Sequence, residues 1–232
     1  MVYIDTLNAQ IIEQSHQLIV VTAKDWNSVK GRMWYFDRAS DGKWLIVKAN
    51  QPIVLGKAGL APSDSSYANF TDTPLKEEGD NKAPAGIFNI GKTFVFNDLQ
   101  VDDYIQLRTG IECIDDSNSK LYNTIIDVSK YKKDWSSSEN MSKVTGYKYG
   151  IEILYNHSPA IAKKGSCIFM HIWKNDVSGT EGCTAMSETD IASLQQWINP
   201  SKHPILVQDP EDVYNKLKMQ MNLPNLPKDN NE

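Results

Sequence analysis

The fold class this sequence predicts is mainly β, mostly antiparallel, with a few helices at the edge. Three observations carry that prediction. Short runs rich in β-branched and aromatic residues recur along the chain, as strands require. Asp41-Gly42 stands between two such runs, a strong hairpin signal. Segments with helical spacing are few and lie near the ends.

The elements follow in order. "DTLNAQIIEQS" has helical spacing with a cap at Asp5. Strands are expected at 17–23 (QLIVVTA), 32–38 (RMWYFDR), 43–49 (KWLIVKA) and 52–56 (PIVLG). Residues 61–86 are rich in Pro, Ser, Asp and Gly and predict a long surface excursion, a feature more often functional than not. Strand runs resume at 86–94, 103–108, 149–156 and 166–173, while the polar stretch 127–146 offers at most a helical turn. "SETDIASLQQWI" (187–198) predicts a helix capped by Ser187 with Asp190 three residues on. "PILVQD" (204–209) is a last strand, "PEDVYNKLKMQM" a helix opened by proline, and "NLPNLPKDNNE" a frayed tail. The expected organisation is an N-terminal helical extension (1–16), one main domain (17–209) and a C-terminal helix and tail (210–232).

Composition narrows the function. Hydrophobic residues make up 41% and charged residues 23%, ordinary for a globular domain. The net charge of −5, with Lys and Arg scattered, argues against a nucleic-acid partner. No run approaches the roughly 18 apolar residues of a membrane span. Met1 is followed by "VYIDTLNAQIIEQS" and not by a basic then apolar leader, which fits either a cytosolic protein or an exported one whose leader has been removed. Cys113, Cys167 and Cys183 are too few for a disulfide scaffold. Separate buried thiols are the default for Cys113 and Cys167, and a bond between them is the alternative open to an exported protein.

"SGTEGCTAM" (178–186) holds a cysteine in a segment too small and polar for ordinary core. Gly179, Thr180, Gly182 and Thr184 suit a turn in which backbone approaches another group closely. Twelve positions earlier, His171 lies in the apolar strand "GSCIFMHIW". A strand ending at Trp173 and a short returning turn would bring thiol to imidazole, and an imidazolium there would lower the thiol pKa and make a nucleophile. Amides around Gly182, Cys183 and Thr184 are placed to face an oxyanion, worth roughly 3 kcal/mol per donor. A histidine in an apolar strand is nonetheless more often a hydrogen-bonded core residue. Zinc held by Cys167, His171 and Cys183 fails on geometry, because residues four apart on a strand are about 13 Å apart. No metal and no cofactor is expected. His16, His157 and His203 read as surface residues, and Asp115 and Asp116 as turn formers.

Several separated pieces together resemble one family. "FMHIW" followed by "GTEGCTAM", "APAGIFNIG" (83–91), "CIDDSNSKLYNTIID" (113–127) and "YKYGIEILYN" (147–156) are similar to the YkuD-type L,D-transpeptidase catalytic domain, over roughly 17–208. The resemblance implies a β-sandwich-like fold acting on peptidoglycan stem peptides. It implies Cys183 as nucleophile, His171 as general base, amides near Gly182 and Thr184 as the oxyanion hole and Thr180 at the family's Ser/Thr position. Trp173, at the end of the base's strand, reads equally as a wall of the cleft or as core. The expected reaction releases D-alanine from a tetrapeptide stem through a thioester and forms a 3→3 cross-link. A monomer in the periplasm or cell envelope is expected.

Two positions depart from the family pattern. Glu181 stands where a histidine precedes Gly-Cys, and Ala185 where an arginine follows. A carboxylate close to the thiol would raise its pKa, so Glu181 is expected to face solvent or the acceptor amine. The departures keep alternatives open: an L,D-carboxypeptidase or amidase using the same site, or a non-catalytic wall-binding module.

Overall fold

The computed structural model describes residues 6–97 and 104–227. The expected cap at Asp5 lies outside them. Helix α1 (Thr6–Gln14) precedes strands β1 (Gln17–Ala23), β2 (Lys30–Arg38), β3 (Trp44–Val54) and β4 (Leu60–Pro62). Then come β5 (Ala83–Val95), β6 (Tyr104–Gln106), β7 (Ile111–Cys113), β8 (Ile125–Asp127), β9 (Glu139–Asn140) and β10 (Tyr149–Ile153). The chain ends with β11 (Phe169–Ile172), β12 (Thr184–Met186), α2 (Glu188–Trp197), β13 (Ile205–Pro210) and α3 (Glu211–Leu217).

The main sheet runs β10-β11-β12-β3-β2-β1-β13-β5-β4, and β10 also pairs with β5, so its path closes on itself. That closure gives the β-sandwich-like, mainly β architecture. All seven residues of β1 are buried, as expected of a strand with neighbours on both edges and cover on both faces. It is antiparallel to β2 and parallel to β13, with Val20 opposite Trp34 and Val207. The Asp41-Gly42 turn forms, with Gly42 at φ 83°.

Three expectations are corrected. The runs 43–49 and 52–56 form one strand, β3, that passes through Pro52. Until Ile53, β3 is paired only with β2, and an edge tolerates proline's missing donor. The excursion 61–86 is shorter than predicted: Ala61, Tyr67 and Lys76 are buried, and β5 begins at Ala83. The tail is held as far as it is described, with Leu223 buried and the Tyr214 hydroxyl donating to the Pro224 carbonyl at 2.7 Å.

Local chemistry fixes the helices. Ser187 caps α2 by accepting from the Asp190 amide at 3.1 Å. Arg38 closes the far end of α1, its Nη1 donating to the carbonyls of Ile12, Glu13 and Ser15. His16, His157 and His203 are exposed. Asp116 forms the expected turn, accepting from the Asn118 amide at 2.9 Å.

A small sheet, β8-β7-β9, packs beside the main one. The Cys113–Cys167 disulfide joins the two, from β7 to the residue preceding Ile168 and β11. This overturns the default of separate thiols and leaves Cys183 as the free cysteine among the described residues.

One buried group is energetically costly. Asp209 in β13 is fully buried; it accepts from the Tyr67 hydroxyl at 2.8 Å through Oδ1, while Oδ2 has no partner. Burial, with Asp212 and Asp64 nearby, raises its pKa well above the usual carboxylate range. A folded pKa raised above the unfolded value makes the carboxyl's contribution fully present below about pH 4 and lost as pH rises. Asp209→Asn should therefore raise the melting temperature at pH 8 by more than at pH 5. An equal shift at both values would contradict a neutral buried carboxyl.

Candidate active site

His171 lies on β11, antiparallel to β10 with Gly150 opposite, and parallel to β12 with Ala185 opposite. The chain crosses from Trp173 to Cys183 and returns as a parallel neighbour of β11, not as the turn predicted from spacing. Cys183 immediately precedes β12 and meets the backbone of β11: the Phe169 amide donates to its sulfur at 3.3 Å. The thiol in turn contacts the Cys167 carbonyl at 3.6 Å. Phe169 and His171 are two apart on one strand and so share a face. Thiol and imidazole both line a cleft of about 560 Å³, together with Trp173, Thr180, Glu181 and Gly182.

The turn before the thiol is set by Thr180. Its hydroxyl donates to the Cys183 carbonyl at 2.6 Å and accepts from the Gly182 amide at 3.1 Å. Its backbone is bonded to Lys57 and Leu55, which ties the turn to the segment after β3. Gly182 has φ 145°, and a Cβ there would lie 3.1 Å from the Lys82 carbonyl oxygen. The conformation and the contact both favour glycine.

The Gly182 amide is thus engaged by Thr180. Thr184 is fully buried in β12, its hydroxyl donating to Gln208 Oε1 at 2.6 Å, and it does not line the cleft. Among the described residues, none accepts a hydrogen bond from the Cys183 amide.

His171 Nδ1 lies 2.8 Å from the Ile172 carbonyl. A carbonyl only accepts, so Nδ1 carries the proton and Nε2 keeps its lone pair in the neutral ring. Gly146 permits this anchor, since a Cβ there would come within 2.7 Å of the Ile172 oxygen. Tyr147 packs its ring edge against the imidazole, with centroids 5.2 Å apart.

Electrostatics differ from the sequence expectation. Burial pushes the His171 pKa down to about 4, partly offset by the Ile172 carbonyl. Burial, reinforced by Glu139, pushes the Cys183 thiol up to about 12, against small opposing effects from the Phe169 amide, Tyr147 and Lys76. Both groups are neutral around pH 7, so the pair is thiol and imidazole and not thiolate and imidazolium. Glu181 behaves as predicted: it points to solvent and pairs with Lys57 at 3.3 Å.

Sequence reasoning missed Tyr147 and Glu139. The Tyr147 hydroxyl donates to Glu139 Oε2 at 2.8 Å, and its side chain shares a buried cluster with Cys183. Burial lifts the Glu139 carboxyl to about 6, with Tyr147 opposing and Asp115 and Glu181 reinforcing. Tyr147 stood inside a quoted strand-like piece, but nothing in its spacing distinguished it from core. Glu139 lies in the polar stretch that had no period to read.

A strand-borne histidine beside a cysteine presented after a threonine-glycine turn is the arrangement the sequence motifs pointed to. Residues 25–213 match the L,D-transpeptidase catalytic domain family, YkuD. The chain belongs to that family. No curated protein and no solved structure matches significantly. The YkuD match begins two residues after β1 and ends within α3, so it spans most of the closed sheet. Among the described residues of this YkuD domain, no cluster of His, Cys, Asp or Glu is arranged to hold a metal ion, and no helix is long and apolar enough to cross a membrane.

Proposed function

We propose that this chain is a cysteine-dependent L,D-transpeptidase of peptidoglycan, with Cys183 as nucleophile and His171 as general base. The observation that carries the reading is a free thiol lining the same cleft as an imidazole whose Nδ1 is fixed on a carbonyl, leaving Nε2 to accept a proton. As Sγ attacks the carbonyl carbon of the diamino acid, Nε2 takes the thiol proton. The Cys183 amide is the available oxyanion donor. When the tetrahedral adduct collapses, the C–N bond breaks and the imidazolium gives its proton to the departing D-alanine amine. An acceptor amine then attacks the thioester, its proton passes to Nε2, and the released thiolate recovers that proton.

The Cys113–Cys167 disulfide supports an exported, cell-envelope location, because such bonds persist in oxidising compartments. The domain is proposed to run over 17–209 and to act as a monomer. Disaccharide tetrapeptides followed by mass spectrometry provide the test. D-alanine release with dimer formation is the expected result, and Cys183→Ala abolishes both. Tripeptides without dimers would instead assign an L,D-carboxypeptidase, and unchanged products in Cys183→Ala would sink the reading.

A further inference from the structure

The Tyr147 hydroxyl donates its one proton to Glu139 Oε2 at 2.8 Å, and the Tyr147 side chain packs in the same buried cluster as Cys183. An ionised carboxylate is a stronger acceptor than a thiol sulfur, so the Tyr147 hydroxyl directs its proton to Glu139 and not to the sulfur. The charge of Glu139 also opposes the thiolate. Around Glu139 stand Tyr147, Asp115, Glu181 and Cys183, none of them cationic. Among the described residues, Lys174 is the cleft's one lysine or arginine. The nearby Lys57 and Lys76 are already paired with Glu181 and Asp80. No described residue donates to Glu139 Oε1. Ala185, fully buried on β12, offers nothing to a substrate carboxylate.

We infer that Glu139 is the subsite for the side-chain ammonium of the diamino acid whose carbonyl Cys183 attacks, and that filling it turns the Tyr147 hydroxyl towards the sulfur. The inference rests on the acyl-transfer reading above. An ammonium on Glu139 neutralises its charge and competes for Oε2, so Tyr147 becomes a donor to the forming thiolate at the moment substrate is bound. The substrate class is a stem whose diamino acid ends in an ammonium without a free carboxylate beside it. Glu139 acts on the thiol through Tyr147 and is a positioning and specificity residue.

The test compares D-alanine release from two tetrapeptides that differ only at the third residue, lysine or Nε-acetyl-lysine. Wild type should favour lysine by about ten-fold or more in kcat/KM, the scale of one charge-assisted contact. Glu139→Gln should bring the two peptides together, while Glu139→Asp, which keeps the charge, retains part of the preference. Tyr147→Phe should keep the preference in KM and lose its share in kcat. A ten-fold preference surviving in Glu139→Gln overturns the inference, as does a kcat ratio unchanged in Tyr147→Phe. If neither peptide releases D-alanine with wild-type enzyme, the acyl-transfer reading falls, and the subsite falls with it. That failure is distinct from one in which both peptides turn over equally.

Discussion

His171→Gln is expected to cut D-alanine release by about 10²–10⁴-fold, the usual worth of a general base, while hardly changing the rate at which Cys183 is alkylated by iodoacetamide at pH 7. The two outcomes separate because the resting pair is neutral. With His171 pushed down to about 4 and Cys183 up to about 12, no imidazolium is present at neutral pH to stabilise a thiolate. The imidazole therefore matters when a carbonyl accepts the attack and a proton must leave with it. The pH profile gives the same contrast. Alkylation of the free enzyme should climb steadily from pH 6 to pH 9, since thiolate rises with pH until its pKa is reached. A flat profile from pH 5 to pH 8, together with a large loss of alkylation in His171→Gln, would establish a preformed ion pair and refute this account.

Removing the Cys113–Cys167 bond is the second large effect. The two cysteines are 54 residues apart, and a loop of that size corresponds to about 4 kcal/mol in the chain-entropy treatment of crosslinks. For a domain of this length that amounts to a loss of roughly 10 °C in melting temperature. The double variant Cys113→Ser/Cys167→Ser should show it by calorimetry, and reduction of the wild type should match. Activity should fall as well. Cys113 is the register partner of Glu139 across β7 and β9, and the Cys167 carbonyl contacts the Cys183 thiol. The bond thus holds the small sheet, and Glu139 with it, against the wall that carries Cys183. Equal melting temperatures and rates with and without the bond would refute that role.

Much of this was legible because it is encoded locally. The run QLIVVTA became β1 residue for residue, Asp41-Gly42 turned the β2–β3 hairpin, and Ser187 with Asp190 capped α2. Cys183 and His171 were legible because a thiol among small polar residues and an imidazole in an apolar strand each break their local pattern. What stayed hidden depends on contacts across the sheets. Nothing within 127–146 could show that β9 pairs with β7 and delivers Glu139 to Tyr147. The ionisation of the two groups is hidden from sequence for the same reason. Desolvation is set by everything packed around a group, and spacing reports only the nearest charge.

The crossover between Trp173 and Cys183 separates what must be conserved in geometry from what is free to vary. His171 and Cys183 are held by adjacent parallel strands, and the end of the crossover is held by Thr180. Lys174, Asp176 and Val177 between them are exposed, with Lys174 lining the cleft. Lengthening or recolouring that stretch would change the surface beside the cleft and leave His171 and Cys183 where they are. The loop is in this sense an interchangeable part, whose surface could be rebuilt without moving the thiol or the imidazole.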